Sequence, residues 1–561
     1  MIIERDVGIT MDDGLVLRAD VFRPEGDAKA PVVMAMGPYG KGLPFQAGYA
    51  PEWKRVVEEH PDVLKHSSCS YVTWETVDPE RWVPFGYAVV HVDSRGMGRS
   101  PGYLNMFSAR ETQDYFECIE WAGTRPWTSG KVGLCGISYY AINQWMVAAL
   151  QPSHLAAIIP WEGASDFYRE ESYHGGIFSN VFKEFWYPLR ILDRQHGKGS
   201  RGWKDPWLND WVAGPETLTE SELEANRVDY VNELRRHSLE DGFFHSRTPD
   251  LGRVMVPLLS AANWGGLGLH ARGNFEGFVL AGSSQKWLEV HVGMHEELFY
   301  SEYGLDLQKR FFDHFLKGAD NGWDREPRVA LTVRYVDHFE QRKENEWPLA
   351  RTNWTRIYLG AQGQTLTWGP PERPGKLAFE AEGDGLTFAS APLQEKTEIT
   401  GPMAARLYVS SSTEDADLFL TFRAFGPGGN EVDFRGAMDS HTPLSQGWLR
   451  ASHRKIDAAR SRAYRPYHTH DEVRKLNPSM VYELNVELWP TCVVLPAGHH
   501  LALTVQGRDF ERKESKEKWK GSGPFLHNDP FNRPKDVFNG TTEIYTGANE
   551  VSCLLLPLIP K

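Results

Sequence analysis

Four short apolar runs punctuate the first third of the chain: residues 31–36 (PVVMAM), 87–92 (YAVVHV), 132–135 (VGLC) and the LAAIIP within 154–160. Runs this short and this rich in β-branched side chains are strands buried on both faces, the condition of a parallel sheet. Helical patterns lie between them. Residues 109–123 set Phe116, Ile119 and Trp121 beside Glu111, Asp114 and Glu120, a helix with one wet face. Residues 139–150 read as a second helix, ending before Pro152. Strand and helix in alternation predict an α/β fold around a parallel sheet.

The pattern changes after Asp166. Residues 167–247 show few strands and many aromatics, among them Phe178, Phe182, Phe185, Trp186, Tyr187, Trp203, Trp207 and Trp211. The charged stretch 217–238 is helical in composition, so this region is expected as an all-helical insertion capping the sheet. The α/β signal returns at 254–260 (VMVPLLS) and 287–291, and closes with the amphipathic LQKRFFDHFL within 305–316. Beyond Pro327, segments such as VALTVRYV, AARLYVSS, DLFLTFRAF, YELNVELW and HLALTVQG predict an antiparallel sandwich or jelly roll. The expected division is 1–166 and 248–327 for the core, 167–247 for the cap and 328–561 for the β domain.

Composition narrows the function. Among 561 residues, 75 acids against 61 bases leave a net charge of −14, which disfavours nucleic acid, since phosphate binding needs clustered Lys and Arg. Five widely spaced cysteines without a CxxC pair read as reduced thiols and not as a disulfide framework or zinc site. The acidic start MIIERDVGITMDDG is unlike a signal peptide, and no apolar run reaches membrane-spanning length, so a cytoplasmic protein with no membrane partner is expected. His468-Thr469-His470 lacks a third metal ligand and reads as an exposed loop; His499-His500 is weaker still. Gly96-x-Gly98 has no completion of a nucleotide motif, so no cofactor and no metal are expected.

The chemistry gathers at Gly136-Ile137-Ser138-Tyr139-Tyr140. A serine between a buried strand and a helix, with glycine two residues before, is the nucleophile-elbow arrangement. In so tight a turn a side chain at 136 would strike the following helix, and the Tyr139 backbone N–H would point into an oxyanion hole. A complete elbow ends in glycine; here that position is Tyr140.

Around this motif the stretches RPEGDAKAPVVMAMGPYGK, FGYAVVHVDSRGMGRSPG, ETQDYFECIEWAGTRPWTSGKVGLCGISY, SDFYRE and VGMH, with the C-terminal β region, resemble the cocaine esterase and X-Pro dipeptidyl-peptidase family of serine hydrolases. The resemblance covers nearly the whole length. It implies an α/β-hydrolase core with an inserted helical cap and a C-terminal jelly roll, in agreement with the three textures.

Carried over position by position, the resemblance implies Ser138 as nucleophile, with the Tyr139 N–H and the Tyr39 phenol as oxyanion donors. Asp93 and Arg95 suit a buried ion pair shaping their loop. The base falls on His295 in His291-Val292-Gly293-Met294-His295, whereas His291 lies in the strand and packs. The family's acid, an Asp in a Gly-Trp-x-Asp segment, is missing: Ala262-Asn263-Trp264-Gly265-Gly266 puts Gly266 in its place. Hydrolases of this fold also take the carboxylate from the end of the strand after the nucleophile helix, here Ile159-Pro160-Trp161-Glu162, and Glu162 is therefore the candidate. Asp166 and Glu276 are the alternatives.

The sequence thus predicts a metal-free serine hydrolase that cleaves a carboxylic ester or activated amide through an acyl-enzyme, with cap aromatics favouring an apolar or aromatic acyl group. An X-Pro peptidase, an acyltransferase and a non-catalytic binding protein are the other readings. Substrate identity and oligomeric state stay open, a homodimer included.

Overall fold

The structure, a computed structural model, describes residues 1–547 and 550–561. Among these, ten strands form one sheet: β1 (Ile2–Thr10), β2 (Val16–Arg23), β3 (Ala30–Gly37), β4 (Ala88–Asp93), β5 (Thr128–Ile137), β6 (Leu155–Trp161), β7 (Leu258–Asn263), β8 (Lys286–His291), β9 (Val329–Arg334) and β10 (Phe339–Glu344). Their order is β1-β2-β4-β3-β5-β6-β7-β8-β9-β10. From β4 to β9 every neighbour is parallel, with antiparallel strands at both edges.

Both faces of the central strands are buried, as their unbroken apolar runs require. Val32, Met34 and Met36 pack with Tyr115 and Ile119 of α1 (Ala109–Gly123) and Trp145 of α2 (Tyr139–Ala148). The intervening Val33 and Ala35 belong to the opposite core, with Phe311, Phe312 and Leu316 of the later helix Glu302–Lys317. The helix that follows β7, α3 (Ala271–Leu280), packs Phe275 and Phe278 against Val290 and Leu331.

Residues 167–253 are not all-helical. Short helical turns predominate, but Tyr173–His174 pairs with Ile177–Phe178 and Lys204–Asp205 with Asp210–Trp211. The helix expected over 217–238 is two pieces, Glu220–Ala225 and Tyr230–Arg236.

The core sheet also runs past the change of texture at 327, because β9 and β10 belong to it. The boundary expected there cuts into the sheet. A second, all-β sheet follows. Its strands run from Thr397–Ser411 through Tyr482–Leu495, Ser445–Arg450 and Asp417–Phe425 round to Asn353–Gly360 and Cys553–Ile559. The last of these pairs back onto Thr397–Ser411 and closes the ring. Leu407, Leu420, Leu503 and Leu554 fill its interior.

Two smaller expectations are corrected. Asp93 and Arg95 do not pair with each other. Asp93 accepts from the amides of Lys41 and Arg99 at 2.7 and 2.9 Å, while Arg95 grips Asp114 with two bonds and reaches Asp13. His468 and His470 are buried, His470 against His453, and do not lie in an exposed loop.

Candidate active site

Residues at the carboxyl ends of β3, β5, β6 and β8 meet where ligands of open parallel sheets bind. Ser138 follows β5 directly with φ +57° and ψ −113°, a strained conformation that ends the strand and starts α2. A Cβ on Gly136 would lie 2.5 Å from the Tyr140 Cβ, so the glycine is required, as the motif predicts. The missing last glycine is compensated: a Cβ on Gly37 would also meet the Tyr140 ring at 2.5 Å. Two glycines therefore make room for one tyrosine.

The Tyr139 amide, first of α2, has no carbonyl of its own helix to bond, because it lies in the first turn. The Tyr139 phenol turns away and donates to the buried Glu111 carboxylate at 2.8 Å, which anchors the start of the helix. Tyr39, just beyond β3, packs edge-on against Tyr139 and Tyr140. Burial, reinforced by the Glu75 charge, pushes its phenol pKa well up, so it keeps its proton and can donate.

Glu162 sits one residue past β6 with φ +48° and no solvent exposure. It accepts from His295 Nδ1 at 2.7 Å and His291 Nε2 at 2.9 Å, with Asn263 Nδ2 at 3.2 Å. Burial alone would raise this carboxyl, but the two histidines overcome that and bring it down to about 2. His291 is more than packing. Burial opposes its charge, yet Glu289 and Glu162 lift its pKa to about 9.

Gly266, in the place where an Asp would stand, carries only a backbone turn; its N–H donates to the Asn263 carbonyl. The other two carboxylates are engaged elsewhere. Asp166 caps the turn at 167–172 and pairs with Arg169, and Glu276 pairs with Arg465.

Two further residues reach the site. His270, just before α3, places Nε2 3.0 Å from Ser138 Oγ, and its ring stacks on that of His295 at 5.3 Å. Burial and then repulsion by His295 push its pKa well below 6.5, and its Nδ1 is buried without a partner. Glu75 lies 3.3 Å from His295 Nε2 with φ +64°. Burial raises its carboxyl to about 7, and its second oxygen has no partner. His295 itself, which burial would leave neutral, is pushed well above 6.5 by Glu162 and Glu75. Sequence offered one signal for His270, the lone histidine between His245 and His291 and four residues past Gly266. It offered none for Glu75.

Ser138, His270, His295, Glu75 and Tyr39 line one cavity of about 480 Å³. The cap supplies Phe182, Phe185 and Trp186 to its wall, and the β domain supplies Met438. The loops also interlock through the main chain: His295 N–H donates to the Ala437 carbonyl and Ala437 N–H to that of Gly265, each at 3.1 Å.

A strained serine at a strand–helix elbow, hydrogen-bonded to one histidine and beside a second that holds a buried carboxylate, defines a serine hydrolase. Residues 13–297 match the family described as X-Pro dipeptidyl-peptidase (S15 family), and residues 321–553 match the X-Pro dipeptidyl-peptidase C-terminal non-catalytic domain. The chain belongs to this S15 family. It is 23% identical to a cocaine esterase from Rhodococcus sp. strain MB1 Bresler, over 99% of this chain and 98% of that protein. A CocE/NonD family hydrolase from Staphylococcus aureus is 33% identical and superposes with a TM-score of 0.86, covering 100% of this chain and 94% of that one. An alpha-amino acid ester hydrolase, 18% identical over 99% of this chain and 96% of that one, shares the fold with a TM-score of 0.69. No helix among the described residues is long and apolar enough to cross a membrane.

Proposed function

We propose that the chain hydrolyses a carboxylic ester or activated amide through an acyl-enzyme on Ser138. His295 acts as general base and Glu162 as its carboxylate, with the Tyr139 N–H and the Tyr39 O–H receiving the oxyanion. The observation that carries this reading is the 2.7 Å bond to the buried Glu162 from Nδ1 of His295, which lines the cavity that holds Ser138. His270 touches Ser138 but has no carboxylate to support an imidazolium, so it holds the resting hydroxyl, which passes its proton to His295 during attack.

The architecture is read as an α/β-hydrolase core interrupted by the cap at 167–247, with the closed β domain as a jelly roll. The cap wall of Phe182, Phe185 and Trp186 favours an apolar or aromatic acyl group. Five buried, unpaired cysteines fit a reducing, cytoplasmic compartment.

One observation favours a second reading, cleavage after an X-Pro dipeptide. Such a substrate presents a free amino terminus, and Glu52, Glu75 and Glu296 line the same cavity. Hydrolysis of p-nitrophenyl esters from acetate to octanoate, beside Ala-Pro-p-nitroanilide, separates the two. Ester turnover that disappears in Ser138→Ala supports the proposal, and the preferred chain length measures the acyl pocket. No turnover, with no labelling of the wild type by a fluorophosphonate, sinks it and leaves a binding protein.

A further inference from the structure

We propose that the C-terminal β domain carries a binding site for an anionic carbohydrate of the uronate type, in a groove on the outer face of its sheet. The ladder builds the site. Arg356 stands opposite Leu555 and Arg406 opposite Cys553, on the neighbouring strands Asn353–Gly360, Cys553–Ile559 and Thr397–Ser411. Residues opposite in a ladder, or two apart along a strand, share a face. Arg356 and Arg406 therefore share one face, while the alternate residues Ile357, Leu407, Leu554 and Leu556 fill the domain's core.

Arg462, from the segment over this face, joins Arg356 and Arg406 around a concavity of about 500 Å³. An adjoining concavity of about 590 Å³ shares Arg356 and Arg462 and adds Trp354, Trp368 and Tyr464.

Charge and shape together name the ligand. In a chain whose acids outnumber its bases 75 to 61, no Asp or Glu lines either concavity. Arg342, Arg423, Arg450 and Arg512 of the C-terminal region each hold a carboxylate. Arg356, Arg406 and Arg462 make no ion pair among the described residues, and Arg406 Nε is buried with no partner. Guanidinium groups left without counter-ions suit a carboxylate, which they bind through paired N–H donors. Beside them Trp354 and Tyr464 stack at 4.6 Å, and Trp368 is 50% exposed. Flat aromatic rings accept the apolar C–H face of a pyranose. A plain anion would use only the arginines and a neutral glycan only the rings; a sugar acid uses both. None of these residues lines the catalytic cavity.

The test is calorimetric titration of the full chain with trigalacturonic acid, maltotriose and inorganic phosphate. Trigalacturonate is expected to bind at least tenfold more tightly than either comparator and to weaken as salt rises. Arg356→Ala and Arg462→Ala should each weaken it about tenfold, and Trp368→Ala should weaken it too, with p-nitrophenyl ester turnover unchanged in all three. Phosphate binding as tightly as the trimer would reduce the groove to a simple anion site and overturn the proposal. Maltotriose doing so would remove the role of charge with the same result. Failure of trigalacturonate to saturate at millimolar concentration ends it outright.

Discussion

Three non-glycine residues around His295 are held in the left-handed region: Ser138 at φ +57°, Glu162 at +48° and Glu75 at +64°. Each such residue costs on the order of 1–3 kcal/mol, and such strain concentrates at functional sites. His270 bonds the serine and His295 lines the same cavity, and their environments suit them to different work. His295→Ala is expected to lower kcat/KM by about 10⁴-fold, and His270→Ala by no more than about a hundredfold. The reverse order would make His270 the base. Glu162→Gln should fall with His295→Ala, and a loss of threefold or less would exclude it.

Glu75 adds to Glu162 in raising the His295 pKa. An anion beside Nε2 stabilises the imidazolium, and the base must be neutral to act, so activity should rise with pH through a His295 pKa well above 6.5. Glu75→Gln removes that anion, lowers the pKa and moves the acidic limb of the kcat/KM profile to lower pH. An unmoved limb would mean that Glu75 does not titrate with the base. Ser138 and His295 stand out in the sequence as candidates because a motif and a resemblance carry them, and Glu162 because Gly266 leaves the usual acid position empty while the neighbouring strand ends in a carboxylate. Glu75 was not legible. Its approach depends on a backbone conformation in the Trp74-Glu75-Thr76 segment that no residue pattern announces.

The elbow is an element with its own compensation. Tyr140 replaces the usual small residue, and Gly37 and Gly136 give it space from two different strands. Gly136→Ala should destabilise by about 2 kcal/mol, in the range of overpacked cores, read as a lower Tm. Adding Tyr140→Gly should recover much of the loss, since the clashing Cβ is then gone. Two additive single effects would show that the contact is relieved some other way. Strands of the sheet were plain in the sequence because burial on both faces leaves an unbroken apolar run: the run at 31–36 became Ala30–Gly37, and that at 87–92 became Ala88–Asp93. The cap was read less well. Its aromatics pack around short turns and two-residue ladders, too brief for any periodicity to build up.

At the scale of the molecule, the β domain completes the catalytic cavity. Gly265 and Gly436 pass so closely that a Cβ on Gly265 would lie 2.2 Å from the Gly436 Cα, and both site loops bond the main chain of Ala437. Gly436→Val is expected to cut kcat/KM about a hundredfold, the effect of a displaced catalytic loop, while Tm falls little because the cores of both sheets are untouched. A large loss of Tm with full activity in the surviving fraction would refute this coupling. The change of texture at 327 was visible in the sequence, but the first strands beyond it complete the core sheet. The apolar alternation of β9 (VALTVR) identifies it as a strand without saying which sheet it joins, and β10 (FEQRKE), polar after its first residue, carries no such pattern.

The bonds from Ala437 to the two site loops also fix when activity can appear. A ribosome adding about 5–20 residues per second releases Ser138 and His295 long before it releases the strands that hold Ala437 in place. For an interval on the order of tens of seconds the nascent chain carries every reactive group and lacks the clasp that sets them. Hydrolysis is then expected only after the β domain has folded, and chains stalled on the ribosome before its strands emerge should lack the turnover of the released protein.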